Sequence, residues 1–308
     1  MYKTLHSADC HFGWDNGIPP AVRVAPGEAL EIGTRDASDG QVHPAMNARG
    51  LLAYDTARAN PVTGPIAVDG AEPGDALHVT IEAIEPNSHA WTGVLPNFGL
   101  LADQFTEPAL IHSAYLGESV AFGSLARLPA RPMIGTLGVA PAEAGRHPII
   151  PPRRTGGNMD IPDLTAGTTV VLPVAVSGAL LSIGDAHSGQ GDGEVCGTGL
   201  ETAATVRLKI ALEKAAAPRF PRLLTARQVP SGGDQGAACW IGTGIGPDLL
   251  VAARDAVSEA IDMISGDTGM APQDTYMLIS VAGSLRIAQL VDMPNWTVTC
   301  RLPGSVFA

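Results

Sequence analysis

Residues 65–86 read PIAVDGAEPGDALHVTIEAIEP. An apolar run ends at Val68, the turn formers Glu72-Pro73-Gly74-Asp75 follow, and a second run alternates through Leu77, Val79 and Ile81. A period of two is the mark of a strand with one buried face, and Pro-Gly-Asp is strong turn punctuation. Residues 22–37, VRVAPGEALEIGTRDA, repeat the design around Pro26-Gly27, and residues 164–187, LTAGTTVVLPVAVSGALLSIGDAH, repeat it again. The phrase of strand, turn and strand predicts hairpins of a β-sandwich or jelly roll. Its spacing is too irregular for a solenoid.

Helical periodicity comes late. In residues 247–265, PDLLVAARDAVSEAIDMIS, the apolar positions Leu249, Leu250, Ala253, Val257, Ile261 and Ile264 fall at steps of three and four. Pro247 suits the first turn and Gly266 the end. Residues 271–284 predict a shorter helix from Pro272, and residues 296–303, WTVTCRLP, a closing strand. The stretch from Glu213 to Gly246 is rich in Pro, Gly and Arg and is the candidate boundary. The expected organisation is a β-rich part, 1–212, carrying the functional loops, with an α+β portion, 213–308, packed against it.

With 308 residues the chain can bury a core without disulfides or metals. Gly 36 and Pro 25 make about a fifth of it, which implies many turns and few long helices. Lys and Arg number 19 against 31 Asp and Glu, for a net charge of −12. That balance argues against nucleic acid or an anionic membrane as partner. No apolar run is long enough to span a bilayer, the opening MYKTLHSADCHFGWDN has no apolar core of a signal peptide, and the four cysteines form no CxxC pair. The expected compartment is a reducing cytoplasm.

The densest chemistry lies in residues 184–194, GDAHSGQGDGE. Asp185 and His187 are two apart, so an extended backbone points both to one face. A carboxylate and an imidazole on one face suit a Zn²⁺-like ion. A solvated turn, or a Ca²⁺ loop built on Asp192 and Glu194, is the competing reading. Residues 11–16, HFGWDN, offer His11 and an aromatic, Trp14. Residues 151–160, PPRRTGGNMD, offer Asn158 and Asp160, again two apart, and Glu143 and His147 lie just before. No GxGxxG, GxxxxGK[ST] or GxSxG pattern is present, so nucleotide binding and a serine elbow have no support. Cys196 is a possible nucleophile, but Lys3, Lys209 and Lys214 sit in poor contexts for a lysine-assisted thiol site.

The sequence resembles the acetamidase/formamidase family over most of its length. The resemblance is carried by HFGWDNGIPP (11–20), TRDASDGQ (34–41), NPVTGPIAVDGAEPGD (60–75), WTGVLPNFGLLADQF (91–105), GVAPAEAGRHPIIPPRRTGGNMD (138–160), SIGDAHSGQGDGEVCGTGLET (182–202) and YMLISVAGSLRIAQLVDMPNW (276–296). One departure is Ser284, where an acid is expected before Leu-Arg; a salt bridge or subunit contact made by that acid would be missing here.

The resemblance implies hydrolysis of acetamide, formamide or another short amide to carboxylate and ammonia. It also implies a mainly β fold with sandwich and barrel parts plus a small α/β portion, and homo-oligomeric assembly. On that footing Asp185 and His187 are the expected ligands of a divalent metal, Zn²⁺ by preference, with Asp160 or His11 completing the shell. A bound ion would activate water and polarise the carbonyl, and a carboxylate would move the proton to the departing nitrogen. Glu143 is the first candidate base and Glu194 the second. Asn158 and Gln190 are the candidate oxyanion donors, and Trp14 and Phe98 the apolar wall of a small acyl pocket. The alternatives are a metal-independent amidase using Cys196 and a non-catalytic sandwich with a structural Ca²⁺.

Overall fold

The alternation read in residues 76–86 is realised in the computed structural model, which describes residues 2–226 and 238–307. Ala76–Pro86 is an 11-residue strand with Leu77, Val79 and Ile81 fully buried. It lies inside a nine-stranded sheet ordered Lys3–Leu5, Ala29–Gly33, Ala204–Glu213, Ala76–Pro86, Thr168–Pro173, Arg222–Thr225, Cys239–Gly246, Trp296–Pro303, Ser284–Gln289. A second, eleven-stranded sheet runs Ala126–Pro129, Ser119–Phe122, Ala109–Tyr115, His89–Val94, Glu201–Thr202, Leu181–His187, Met133–Val139, Gly156–Asn158. Of its three remaining strands, Val62–Val68 lies against Leu181–His187 and pairs with the other two, Cys10–His11 and Val22–Val24. One apolar core lies between the sheets, with Val79, Ile81 and Leu208 from one and Ile66, Ile134 and Ile183 from the other. The fold is mainly β, as expected.

The three strand-turn-strand phrases are not hairpins. Val22–Val24 and Ala29–Gly33 belong to different sheets, as do Val62–Val68 and Ala76–Pro86, and Thr168–Pro173 and Leu181–His187. Each phrase arches from one layer to the other. The connections, residues 25–28, 69–75 and 174–180, are longer than the two-residue loops that close tight hairpins, and they bridge the ~10 Å between stacked sheets. Asp75 fastens one arch: its carboxylate accepts the Glu72 N–H at 2.8 Å, the Ala215 N–H at 3.0 Å and Lys214 Nζ at 2.5 Å.

The helices gather beside the C-terminal strands. Leu249–Thr268 is capped by Asp248, whose Oδ1 accepts the Val251 N–H at 2.8 Å. It runs past Gly266 and stops at Gly269, whose φ of 72° is the left-handed conformation that ends helices. Its sheet-facing side is the small-residue row Ala252, Ala256 and Ala260, while Leu250 is exposed. A side chain at Gly244 would strike the Ala252 carbonyl, so the strand and helix backbones meet directly. Pro272–Ala282 is the predicted second helix, Trp296–Pro303 the predicted closing strand, and Ser284 opens the edge strand Ser284–Gln289. Part of the expected boundary stretch, 227–237, lies outside the described residues. Arg222–Thr225 pairs with Thr168–Pro173, which carries the sheet across position 212. Among the described residues no helix is long and apolar enough to cross a membrane.

Candidate active site

The site is built on one irregularity in a ladder. Met133–Val139 pairs antiparallel with Leu181–His187, Met133 opposite His187 and Thr136 opposite Gly184, but the pairing skips Gly135 and Asp185. Asp185 has φ 57°, outside the extended range, so it does not follow the regular alternation that its spacing from His187 suggests. The two side chains nevertheless meet: His187 Nε2 is 3.3 Å from Asp185 Oδ1. Gly135 makes room for this turn, because a Cβ there would collide with Asp160 Oδ1 and Asp185 Oδ2.

His187 is fully buried and anchored from both sides. Gln190 Nε2 donates to the Asp160 carbonyl at 2.8 Å, which turns Gln190 Oε1 toward the ring. His187 Nδ1 therefore carries the proton and donates to that oxygen at 2.9 Å, leaving Nε2 for the acids. Glu201 Oε2 lies 3.1 Å from Nε2, and Glu201 Oε1 accepts the Gly199 N–H at 2.7 Å. Two groups of potential ligand atoms form around the imidazole, Asp185 with His187 and Glu201, and Asp160 with His187 and Glu194, each within 4.8 Å.

Asn158, at the end of Gly156–Asn158, joins this cluster to the C-terminal part. Its Oδ1 accepts from Asn60 Nδ2 at 3.0 Å and from Thr136 Oγ1, and its Nδ2 donates to Asp292 Oδ2 at 3.0 Å. Asn60 Nδ2 also reaches Asp185 Oδ2 at 3.2 Å. Asp160 faces Asp292, and with both ionised no donor reaches either Asp160 oxygen.

Burial sets the electrostatics. It pushes the carboxyls of Asp160, Glu194 and Asp292 well above their ordinary values, and neighbouring carboxylates add to the shift: Asp185 and Asp292 at Asp160, Asp160 at Glu194, Glu194 at Asp292. Burial likewise carries Glu201 up to about 7, against the pull of His187. Burial alone would lower His187, but Glu201 and Asp185 override it and hold the imidazole above its usual value. Five acids thus crowd one imidazole in a place that favours protons or a cation.

A cavity of about 300 Å³ opens over this cluster. Asp160, Asp185, Glu194, Glu201, Asp292 and Asn158 line it together with the apolar and aromatic Trp91, Phe98, Leu95 and Tyr54. Of the residues singled out from sequence, Asp160, Asp185, His187, Glu194, Asn158 and Gln190 come together, and Phe98 joins the apolar wall.

Others lie elsewhere. Glu143 is exposed, on a turn whose carbonyl receives Asn16 Nδ2, and it does not line the cavity. His11 spends both ring nitrogens on the Gly13 carbonyl and Ser182 Oγ, each at 2.8 Å. Trp14 is buried against Val62 and Ile149, behind the strand that carries Asn158, and Trp91 takes the wall position. Gln190 is engaged with His187 rather than aimed into the cavity. The two acids of the suggested Ca²⁺ loop serve different neighbours: Asp192 accepts both a 2.9 Å and a 2.6 Å bond from Arg286, while Glu194 is buried in the cluster. The Cys196 thiol turns to the Thr198 carbonyl at 3.5 Å, and Cys196 is not among the lining residues. Glu201, Asp292, Asn60 and Thr136 carry no motif that marks them in the sequence. An acid next to an apolar residue, as in Leu200-Glu201 and Val291-Asp292-Met293, is the available signal for two of them.

The family model described as Acetamidase/Formamidase family matches residues 2–149 and 142–308. An acetamidase of Mycolicibacterium smegmatis is 29% identical over 252 residues, 61% of this chain and 62% of that protein's length. A formamidase of Methylophilus methylotrophus is 25% identical over an alignment of 367 residues, covering 96% of this chain and 89% of that one. Among solved structures, an acetamidase from Bacillus halodurans superposes with a TM-score of 0.88 at 30% identity, over 99% of this chain and 98% of its own. A gamma lactamase from Delftia acidovorans gives 0.68 at 25% identity, over 97% and 89%.

Proposed function

The chain belongs to the acetamidase/formamidase family of small-amide hydrolases, and we propose that it releases ammonia from a linear carboxamide at the buried acid cluster beneath the cavity. The observation that carries this reading is the convergence of Asp185 Oδ1 and Glu201 Oε2 on His187 Nε2, at 3.3 and 3.1 Å, in a buried site. Two carboxylates and an imidazole are the donor set of a divalent cation, and the second group, Asp160 and Glu194 with the same His187, adds acids that fit the same charge. Asp185, His187 and Glu201 would hold the ion, with Zn²⁺ expected. When bound, such an ion polarises the amide carbonyl and lowers the pKa of water.

The chain's own groups supply the rest. Glu194, on the cavity side of the cluster, is our general base in place of Glu143, since a base must reach the proton it takes. It removes a proton from the attacking water and returns it to the departing nitrogen, so that amide and water become carboxylate and ammonium. Asp160 and Asp292 share a proton, which spares the site one negative charge. Asn158, its oxygen fixed by Asn60 and Thr136, keeps a second N–H for the developing oxyanion, worth roughly 3 kcal/mol for a well-aimed donor. Gln190 keeps His187 in one tautomer.

Metal content, paired with ammonia release from formamide and acetamide before and after chelation, tests the reading. Activity that leaves with the metal and returns with it is expected; full activity in a metal-free sample would remove Asp185, His187 and Glu201 as ligands. The same reading takes the protein as a cytoplasmic homo-oligomer.

A further inference from the structure

Building on that hydrolase reading, we infer that the preferred substrate is a neutral primary amide with a ring-sized apolar acyl group, in preference to formamide or acetamide. The cavity measures about 300 Å³, whereas a cavity of about 150 Å³ is enough to admit benzene. An acyl group of one or two carbons would leave most of that space unfilled.

Two of the three rings are tied down, so the lining resists closing onto a smaller group. Trp91 is 2% exposed, donates from Nε1 to Asp36 Oδ2 at 2.8 Å and packs on Val42 and Leu51. Tyr54 donates its hydroxyl to the Ala37 carbonyl at 3.1 Å. The Phe98 ring lies against Gly197, where a Cβ would collide with it at 2.5 Å or less. A preformed, mostly apolar lining with a few polar groups that fix the reacting end is the usual form of a small-molecule site. Among the described residues, no lysine, arginine or histidine lines it. A carboxylate on the acyl group would thus meet five acids and, among the described residues, no basic lining group, which favours neutral amides.

The metal-loaded enzyme should be assayed for ammonia release from acetamide and cyclohexanecarboxamide, whose amide groups are both aliphatic. We expect kcat/KM for the larger amide to be at least ~10-fold higher, the scale on which apolar pockets discriminate by size. Filling the wall with Ala59→Leu, or separately with Leu95→Trp, should cut the ratio of the two kcat/KM values by ~10-fold. The ratio is read within one sample, so it does not depend on how much of a variant is folded. A ratio below one in the unaltered enzyme, or one that neither variant moves, overturns the inference while leaving amide hydrolysis standing. Ammonia from neither amide overturns both.

Discussion

Gln190 Oε1 accepts the proton of His187 Nδ1 at 2.9 Å, and the same amide is held by the Asp160 carbonyl at 2.8 Å. One glutamine therefore fixes both the orientation and the tautomer of the imidazole between the acids. Supporting partners of this kind are typically worth 10- to 100-fold in metal affinity, roughly. Gln190→Leu should weaken metal binding by about that factor, measured by competition with a chelator. Unchanged affinity would mean that the tautomer is set elsewhere.

Glu194→Gln should lower kcat by about 10²- to 10⁴-fold, the range of a lost general base. Glu143→Gln should leave kcat within about 2-fold, because Glu143 is exposed and outside the cavity and surface changes rarely matter. Steady-state rates on acetamide decide it. The reverse ranking would return the base role to the turn at 143.

Gly135→Ala puts a methyl group where Asp160 Oδ1 and Asp185 Oδ2 now lie. Both carboxylates must move, so we expect metal content and kcat to fall together, with a stability loss of about 1–3 kcal/mol from overpacking. Elemental analysis and urea denaturation of the same preparation provide the check. A variant with full metal occupancy would show that the carboxylates have slack.

After chelation, stability should fall as pH rises from about 4.5 to 8. In the unfolded chain these carboxyls titrate near 4, roughly. In the folded chain Asp160, Glu194 and Asp292 are raised and Glu201 is pushed up to about 7, so the folded state binds more protons across that interval. More protons on the folded side means stability lost with rising pH. The raised His187 acts in the same direction. Thermal unfolding at pH 5.5 and pH 8 reads this directly, and a Tm that rises with pH would contradict it.

The sequence disclosed what depends on short-range pattern. The alternation of Leu77, Val79 and Ile81 gave the strand, and Gly-rich residues 184–194 gave Asp185, His187 and Glu194. What it concealed depends on distant partners. Nothing within residues 65–86 says that Val68 and Leu77 part to different sheets, because that is decided by pairing with Leu181–His187 and Ala204–Glu213. Asp292 lies 107 residues after Asp185 in the chain and enters the site through a C-terminal loop. The size of Trp14 and its place near His11 suggest a wall residue, but its depth makes it core.

Asn60, Asp160, Asp185 and Glu194 share one property besides their place around the cavity: each has a left-handed backbone, with φ between 46° and 57°. For an acid with a Cβ that conformation costs about 1–2 kcal/mol, and no local turn requires an acid there. Glycine would adopt it freely. A descendant released from selection for catalysis could therefore gain stability by giving these positions up. Retention of the three acids would be a record of use, legible in how unwillingly the chain accommodates them.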